Sequence, residues 1–375
     1  MLGIYVHLPF CPYICPYCDF AKWPMRRSSA DAYLNALTAE IDAAPAEGAG
    51  TIFLGGGTPN AYDPQSIVRL LALLNDRYNA ASTVSETTIE INPELVRDED
   101  FDRYAAAGVN RLSIGVQSFV PAEIATLGRK HTPEQIERAV RLARSAGIAS
   151  VSLDLIFAVP GQTLASWEAS LRSAIALGVD HISTYGLTVE EGTPYASWFA
   201  REPSAFAQEG HEADLYDRAI TLLGEAGFEH YEISNFARPG HSSAHNANYW
   251  KNGEYIGFGV GAASYRDGTR SIHTRELHEY VEAAVAGAPI PAEYERLEPH
   301  KAWGEAIMLA LRTAQGVRLA EFKERYGVEV LAYYGRVVER YAAAGLLVVD
   351  DGAMRLTRQG RFVANDVCGA FVTFE

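Results

Sequence analysis

The chain has 375 residues, of which 48% are hydrophobic and 21% are charged, a composition typical of a folded globular protein. Its 32 basic and 47 acidic side chains give a net charge of −15, which disfavours sequence-independent binding to nucleic acid or anionic lipid. No apolar run approaches the length of a membrane span, and no signal peptide precedes the first strand-like segment. We therefore expect a chain that starts near Met1 and has no stable membrane insertion.

Three of the four cysteines lie in one loop, directly after the first predicted strand. Cys11, Cys15 and Cys18 have the spacing C-x3-C-x2-C, and the remaining cysteine, Cys368, lies near the other end of the chain. Three thiolates can ligate three irons of a four-iron, four-sulfur cluster and leave the fourth iron open to a small molecule. The spacing therefore predicts a [4Fe–4S] cluster with one exchangeable coordination position.

Other uses of this cysteine loop stay open at this point. A disulfide is disfavoured, because the number of cysteines in the loop is odd and the chain has no secretory features. A structural zinc ion with His7 as its fourth ligand is the stronger competitor, although such sites usually take their ligands from two separated pairs. Free thiols and a labile cluster both fit the reducing cytoplasm, where we expect this protein.

From residue 2 to about residue 235, short apolar or β-branched runs alternate with amphipathic helical stretches. Repeated strand–helix units predict an α/β fold with a parallel sheet, and six such units can curve into an open, partial (βα)6 barrel. The predicted strands are Leu2–Leu8, Thr51–Leu54, Thr87–Ile91, Arg111–Val116, Ser150–Ile156 and His181–Tyr185. The predicted helices include Ala30–Ala44, Gln65–Tyr78, Pro133–Ala146 and Ser166–Leu177.

Polar residues and glycines follow these strands at the points where the strands end. The cysteine loop follows the first strand, and the run Gly55–Pro59 follows the second. Because ligands of parallel α/β folds bind at the carboxyl ends of the strands, these loops predict one common site. Glu90, Gln117, Arg129 and Asp154 supply groups that an adenosine-type ligand needs. Taken singly, each is better explained as an ordinary exposed polar group. Asp154 is the exception, because it interrupts an apolar strand, where an unpaired carboxylate is costly.

Residues from about 205 to 300 have a less regular pattern, with a helix near Glu209–Ala226. The run His241–Trp250 in this region contains two histidines, two asparagines and two large aromatic residues. Imidazole is a common ligand of haem iron, and aromatic rings can cover a flat macrocycle. A loop that Tyr249 and Trp250 anchor in the core, with His245 as a capping residue, explains the same residue types and is favoured on those types alone.

The last part of the chain, from about His300, predicts a small winged-helix-like α+β module. The pair Asp351–Gly352 between two apolar runs is a hairpin signal. A regulator that binds DNA through this module is disfavoured by the acidity of the chain. Its predicted elements are helices Lys301–Thr313, Leu319–Tyr326 and Leu331–Ala344 and strands Leu346–Val349 and Met354–Leu356. We therefore predict a barrel over residues 1–235, a connecting, haem-associated region over 236–300 and the module over 301–375.

Several of these runs, taken together, resemble the radical S-adenosylmethionine (SAM) proteins related to oxygen-independent coproporphyrinogen III oxidase. The oxidase branch of that group has a longer N-terminal arm and a fourth cysteine at the position where this chain has Phe20. The chain is more similar to the haem chaperone branch, which also has the H-N-x-x-Y-W signature found at His245–Trp250. The runs that carry the resemblance are Tyr5–Cys18, Gly55–Pro59, Ser113–Phe119, Asp154–Ile156, Val159–Thr163 and Tyr231–Ala237.

The resemblance implies a role for individual residues. Cys11, Cys15 and Cys18 would ligate the [4Fe–4S] cluster, and the amine and carboxylate of SAM would chelate its open iron. The residues that would contact SAM are Tyr5, Tyr17, Gly56, Gly57, Thr58, Glu90, Gln117, Arg129, Asp154 and Gly186, the last at a position where the oxidase has alanine. The residues that would contact haem are His245, Asn246, Tyr249 and Trp250.

The implied function is that of a haem chaperone, which binds the cluster, SAM and haem and delivers haem to respiratory haem proteins. An electron donor for the cluster is implied as a further partner. The alternative is the oxidase itself, which decarboxylates coproporphyrinogen III to protoporphyrinogen IX without oxygen. The absent fourth cysteine argues against that activity, and the number of SAM molecules bound stays open.

Overall fold

The computed structural model describes residues 1–79 and 83–374. Its helices are α1 (Arg27–Ala43), α2 (Pro64–Tyr78), α3 (Asp100–Ala106), α4 (Pro121–Thr126), α5 (Pro133–Ser145), α6 (Leu164–Ala176), α7 (Pro194–Arg201), α8 (Glu209–Glu225), α9 (Ala244–Trp250), α10 (Leu277–Val285), α11 (Pro299–Leu311), α12 (Leu319–Tyr326), α13 (Val330–Tyr333), α14 (Gly335–Ala343), α15 (Arg358–Phe362) and α16 (Ala364–Val372). Its strands are β1 (Gly3–Leu8), β2 (Phe10–Cys11), β3 (Trp23–Pro24), β4 (Thr51–Gly56), β5 (Glu86–Ile91), β6 (Arg111–Gln117), β7 (Ser150–Phe157), β8 (His181–Gly186), β9 (Glu229–Glu232), β10 (Asn235–Ala237), β11 (Tyr255–Phe258), β12 (Ala263–Arg266), β13 (Thr269–His273), β14 (Ala292–Arg296), β15 (Val317–Arg318), β16 (Leu347–Asp350) and β17 (Ala353–Leu356).

Six parallel strands form the centre of the main sheet, in the order β1-β4-β5-β6-β7-β8. Each is joined to the next by at least one helix, which confirms the predicted partial (βα)6 barrel. The predicted strand ends agree with the observed ends within two residues. The strands are almost continuously buried, as expected when helices cover a parallel sheet, and β7 is buried except at Asp154. Helices α3 and α4 were absent from the prediction because they are too short to show helical periodicity.

The main sheet continues at both edges into the stretch for which we expected less regular structure. Beyond β8 it is extended by β10 and β9, and beyond β1 by β11, β12, β13 and β14. The strand β11 pairs parallel with β1, and the outer strands pair antiparallel. This stretch is therefore more regular than we expected. Strands of three to five residues are too short for alternating hydrophobicity to reveal them.

The C-terminal module has its own hydrophobic core, built around Phe322, Tyr334, Met354 and Phe371. Its three-stranded sheet has the order β15-β17-β16, and the predicted hairpin joins β16 to β17. The winged-helix-like prediction is confirmed, but the predicted helix Leu331–Ala344 is divided into α13 and α14 at Tyr334, and α15 and α16 were missed. The boundary at residue 301 stays a prediction, and the last residue of the predicted module lies outside the described residues.

The module contacts the barrel through backbone and side-chain bonds near β9 and β13. The amide of Ala314 donates to the carbonyl of Tyr231, at 2.9 Å, and the amide of Ile233 donates to the carbonyl of Arg312, at 3.0 Å. The guanidinium of Arg270 on β13 pairs with the carboxylate of Glu305 on α11. Helix α11 also lies directly beside α9, which carries the H-N-x-x-Y-W run and which we call the signature helix. Among the described residues, every helix is too short or too polar to cross a bilayer.

Candidate cluster and cofactor site

A cavity of about 420 Å³ opens at the carboxyl ends of the parallel strands, and we call it the SAM cavity. Its volume falls in the range of about 300–1,000 Å³ that is usual for small-molecule sites. Cys11, Cys15 and Cys18 lie in its wall. The other predicted residues in the wall are Tyr17, Gly56, Gly57, Thr58, Glu90, Gln117, Arg129, Asp154 and Gly186. The topology thus brings together every residue predicted for the cluster and for SAM except Tyr5.

The three loop cysteines are partly exposed free thiols that lie close enough to influence one another's ionisation. Partial burial raises the pKa of Cys11 to about 11, and nearby Cys18 and Cys15 also raise it, while a hydrogen bond with Thr58 lowers it. Partial burial also raises the pKa of Cys18. The metal-free thiols of Cys11 and Cys18 are therefore protonated at neutral pH, and the binding of iron would release their protons.

The geometry of His7 does not support a zinc site in this loop. Its Nε2 atom lies 2.7 Å from the carbonyl oxygen of Ala21, and its Nδ1 atom lies 2.9 Å from the hydroxyl of Tyr5. Both ring nitrogens are therefore engaged. Within residues 1–79 and 83–374, no three Cys, His, Asp or Glu side chains converge on a point that would hold one metal ion. Three thiols in the wall of one cavity, without a fourth ligand from His7, suit a [4Fe–4S] cluster better than a single zinc ion.

The glycine run 55–57, at the end of β4, brings two backbone segments together beside the cysteine loop. Gly56 has a φ of +97°, and a Cβ atom there would clash with the imidazole of His7. A Cβ atom on Gly57 would lie 2.4 Å from the carbonyl oxygen of Leu8. Both positions therefore require glycine for the turn itself. The amide of Gly56 donates to Oε2 of Glu90, at 2.9 Å, so the turn also orients a carboxylate of the cavity.

Glu90 and Asp154 place two half-buried carboxylates in the cavity wall. Burial raises the pKa of Glu90 to about 7, and the nearby charge of Asp154 raises it further, while the bond from Gly56 lowers it. Burial also raises the pKa of Asp154, whose oxygens accept hydrogen bonds from the hydroxyls of Ser113, at 2.9 Å, and Ser183, at 2.7 Å. Two carboxylates of raised pKa favour a cationic ligand, such as a sulfonium, which would restore their charged forms.

Ser113 and Ser183 were not identified from the sequence. Ser183 on β8 pairs directly with Asp154 on β7, so the register of these two strands is the information that would have identified it. A hydroxyl at the paired position can satisfy a carboxylate inside a sheet that would otherwise exclude it. Without the register, these serines look like ordinary small strand residues. Tyr13, Asn92 and Tyr185 also line the cavity and were not assigned to the site.

Arg129 links the cysteine loop to the ends of β5 and β6. Its Nη2 atom donates to Oδ1 of Asn92, at 2.8 Å, and to the carbonyl of Gly115, at 2.6 Å, and its Nη1 atom lies 3.9 Å from Sγ of Cys15. Its Nε atom is buried without a hydrogen-bond partner among the described residues. A buried guanidinium with a free N–H is suited to an anionic group of a ligand. The three thiols therefore fit a cluster. The two carboxylates and the free N–H of Arg129 fit the charged groups of SAM.

Gln117 lies at the end of β6 in a conformation that few residues other than glycine adopt. Its φ is +62°, and the pairing of β6 with β7 is irregular between Gly115 and Gln117. Such outliers cost energy and concentrate at functional sites. The irregularity occurs where the strand reaches the cavity.

Tyr5 lies outside the SAM cavity and lines an adjoining cavity of about 450 Å³, which we call the lumen cavity. The two cavities share Phe20, Gly56 and Glu90 in their walls. The hydroxyl of Tyr5 is hydrogen-bonded to Nδ1 of His7, and burial raises the pKa of Tyr5 well above its usual value. A role for Tyr5 in contacting SAM stays a prediction.

His245 at the start of α9 is almost completely buried, at 1% exposure. Its Nδ1 atom lies 2.8 Å from the hydroxyl of Thr51, its Nε2 atom lies 2.8 Å from the hydroxyl of Tyr249, and its ring stacks on Phe53. Burial lowers the pKa of His245 to about 3. In this conformation an iron ion would have to displace one of these hydroxyls to reach the ring.

The other predicted haem residues do not converge with His245. Tyr249 lines the lumen cavity, whereas Trp250 lines a larger groove on the other side of α9. Asn246 is half-buried, and its amide donates to the hydroxyl of Ser243, the residue that caps α9. Contact of these four residues with haem stays a prediction.

Comparison with known proteins places the chain in a family. Residues 5–174 match the model of the Radical SAM superfamily, and residues 297–363 match the model of the HemN C-terminal domain. The chain is 35% identical over 377 residues to the "Heme chaperone HemW" of Bacillus subtilis, with 99% of both chains covered. It is 34% identical to the protein of the same name from Lactococcus lactis, with 98% of this chain and 96% of that protein covered.

Solved structures give a second comparison. The radical SAM enzyme coproporphyrinogen III oxidase (HemN) of Escherichia coli aligns with a TM-score of 0.87, covering 100% of this chain and 90% of that chain. The sequence identity in that alignment is 24%, so the likeness shows the fold alone. The full-length identity to the curated relatives is the stronger finding, and it shows that the chain belongs to the HemW family within the radical SAM superfamily.

Proposed function

We propose that this protein is a haem chaperone of the radical SAM type, which binds a [4Fe–4S] cluster, SAM and haem and delivers haem to respiratory haem proteins. One observation carries the proposal. Three free thiols share the wall of one cavity with Glu90 and Asp154, in a chain that aligns over its full length with proteins named heme chaperones.

In this proposal Cys11, Cys15 and Cys18 hold the cluster. Glu90 and Asp154 accept hydrogen bonds from SAM, and the free Nε–H of Arg129 binds an anionic group beside Cys15. When bound, the cluster and SAM supply one-electron radical chemistry, while the protein supplies orientation and a cavity that limits access of water. We also propose that the protein acts in the cytoplasm and receives electrons from a separate donor.

The alternative function is the oxidation of coproporphyrinogen III. The fold is shared with the oxidase of Escherichia coli, but fold alone does not determine activity. Phe20 stands where the oxidase has a fourth cysteine, and its side chain is 60% exposed at the shared wall of the SAM and lumen cavities. This substitution favours the chaperone over the oxidase.

The test is anaerobic reconstitution of the protein with iron and sulfide, followed by two parallel assays. One assay titrates haemin and follows the Soret absorption, and the other measures release of carbon dioxide from coproporphyrinogen III in the presence of SAM and a reductant. We expect saturable haem binding without turnover. Turnover of the porphyrinogen would assign the protein to the oxidase branch, and failure to bind haem would overturn the proposal.

A further inference from the structure

A groove of about 850 Å³ lies between α9 and the C-terminal module, and we call it the α9 groove. Trp250 and Lys251 line it from the barrel side, and α11 and α12 line it from the module side. We propose that this groove binds the haem cargo, with the macrocycle beside Trp250 and the propionates on Lys251 and Arg318. The inference rests on the proposed function and adds to it the location of the cargo and the groups that hold it.

The shape of the groove suits a flat apolar ring. Ala306 and Ala310 lie one turn apart on α11, and both line the groove, so their small side chains leave open space beside the helix. Phe322 and Tyr326 lie one turn apart on α12 and line the same space with aromatic rings. Methyl groups and aromatic rings provide the dispersion contacts and stacking that a porphyrin face needs.

Trp250 contributes an incompletely satisfied side chain to this groove. The guanidinium of Arg312 lies over its ring, 5.1 Å from the ring centroid. Its indole N–H is buried and has no acceptor among the described residues. Unpaired buried donors are rare in native proteins, and a ligand or a bound water commonly explains them. The unpaired indole N–H is therefore a second observation, independent of the shape of the groove, which indicates that the groove has an occupant.

The charge of the groove differs from the charge of the whole chain. Three cations, Lys251, Arg318 and Arg325, line it against two acids, Glu229 and Glu321, whereas the chain has 32 basic and 47 acidic residues. A cation excess at the rim of an apolar groove is complementary to a ligand with an apolar body and carboxylate ends. Haem has that chemistry.

Two of these cations are available for ligand carboxylates. Arg325 donates to the carbonyls of Lys251 and Asn252, so it holds the module against the end of α9. Arg318 is exposed, and its nearest acid, Glu321, is 3.9 Å away, at the limit of an ion pair. The ammonium of Lys251 is exposed and has no ion pair within residues 1–79 and 83–374. One lysine and one arginine thus match two propionates.

The lumen cavity is the competing location, and it fits haem less well. Its volume is about 450 Å³, roughly half that of the α9 groove. Its wall shares Phe20 and Glu90 with the SAM cavity, so a large occupant would crowd SAM. Of its two arginines, Arg270 is already paired with Glu295 and Glu305, which leaves only Arg275 for a dicarboxylate.

The experiment titrates the full-length protein with haemin and with haemin dimethyl ester, which lacks free carboxylates. We expect the double variant Lys251→Glu, Arg318→Glu to bind haemin about tenfold more weakly, because both propionates lose a partly exposed cationic partner. The ester should bind the wild type and this variant equally. A second variant, Ala310→Trp, fills the groove and should weaken the binding of both ligands. Arg275→Glu, in the lumen cavity, is the matched charge-reversal control and should bind haemin as the wild type does.

The possible outcomes distinguish a failure of this haem site from a failure of the proposed function. Unchanged haemin binding in both groove variants, or a loss confined to Arg275→Glu, would overturn the α9 groove while haem binding itself stands. A wild type that binds no haemin would overturn the proposed function and this site together. Melting temperatures of all variants check that the changes reflect binding, because Lys251, Arg318 and Arg275 are exposed and should not alter folding.

Discussion

Glu86, at the start of β5, accepts a hydrogen bond from the backbone amide of His245, at the start of α9, over 2.9 Å. The same carboxylate accepts the amide of Ala244, at 2.9 Å, and is 3.3 Å from the hydroxyl of Ser243. A buried acid from the barrel thus occupies the N-terminus of the signature helix, where the helix dipole and the free amides favour negative charge. The opposite end of β5 carries Glu90, so one strand supports both α9 and the SAM cavity.

Replacing Glu86 with glutamine should destabilise the protein, because the amide keeps the shape but loses the charge that the helix terminus favours. We expect a loss of roughly 1–2 kcal/mol in the free energy of unfolding, as for other helix-capping residues. Chemical denaturation at pH 7 measures the change. Glu134→Gln, at an exposed position in the first turn of α5, is the control and should have a much smaller effect. Equal effects at the two positions would contradict the capping role.

The cluster prediction concerns the three loop cysteines. Single replacements of Cys11, Cys15 or Cys18 with serine should abolish the visible absorption of the reconstituted cluster, because each thiolate would hold one iron. Cys368 is buried in the core of the C-terminal module, so Cys368→Ser should keep the full absorption and the full iron content. Iron and sulfide analysis after anaerobic reconstitution measures the result. A loop variant that retains four irons would remove that residue from the ligand set.

The affinity for SAM should depend on pH through Glu90. Burial raises the pKa of this carboxyl to about 7, so in the free protein it is mostly protonated at pH 6 and mostly charged at pH 8. Since the charged form is the better acceptor and attracts a sulfonium, we expect affinity to increase across this interval. Calorimetric titration of the reconstituted protein at several pH values tests this. Glu90→Gln should bind more weakly at pH 8 and lose most of the pH dependence. A steep dependence that persists in the variant would assign it to another group.

Glu40 provides a pH dependence of stability that is separate from the SAM cavity. It accepts hydrogen bonds from the hydroxyl of Tyr280, at 2.5 Å, and the amide of Gly259, at 2.9 Å, and burial raises its pKa to about 7. A raised pKa means that the folded state holds the proton more tightly than the unfolded state. Its contribution to stability is therefore complete below the ordinary value of 4.5 and is lost as the pH rises through about 7.

The variant Glu40→Gln, which mimics the protonated acid, should remove this dependence. We expect it to be more stable than the wild type at pH 8, by roughly 1–3 kcal/mol, and nearly equal to it at pH 5. Urea denaturation across that range measures both curves. Parallel curves for the two proteins would show that Glu40 does not titrate in this interval.

Much of the barrel and of the SAM cavity could be predicted from the sequence, because its signals are local. Each central strand is a short apolar run, and the motif residues stand where these strands end, such as Gly56 at the end of β4 and Gln117 at the end of β6. In a parallel sheet the carboxyl ends of the strands share one edge, so the order of motifs along the chain was enough to predict a common site. The three cysteines lie within one loop, and their spacing needed no tertiary information.

Only the tertiary structure decided where the residues of the H-N-x-x-Y-W run lie and what they contact. The ring of His245 is hydrogen-bonded to the hydroxyl of Thr51, 194 residues earlier in the chain, and nothing near His245 in the sequence indicates that partner. Ser183 satisfies Asp154 through strand register, and the α9 groove forms where two helices of a separate core approach Trp250. Periodicity and spacing report which residues are near one another along one element. Burial, hydrogen-bond partners and the walls of a cavity depend on segments that are distant in sequence, so they appear only when the chain is folded.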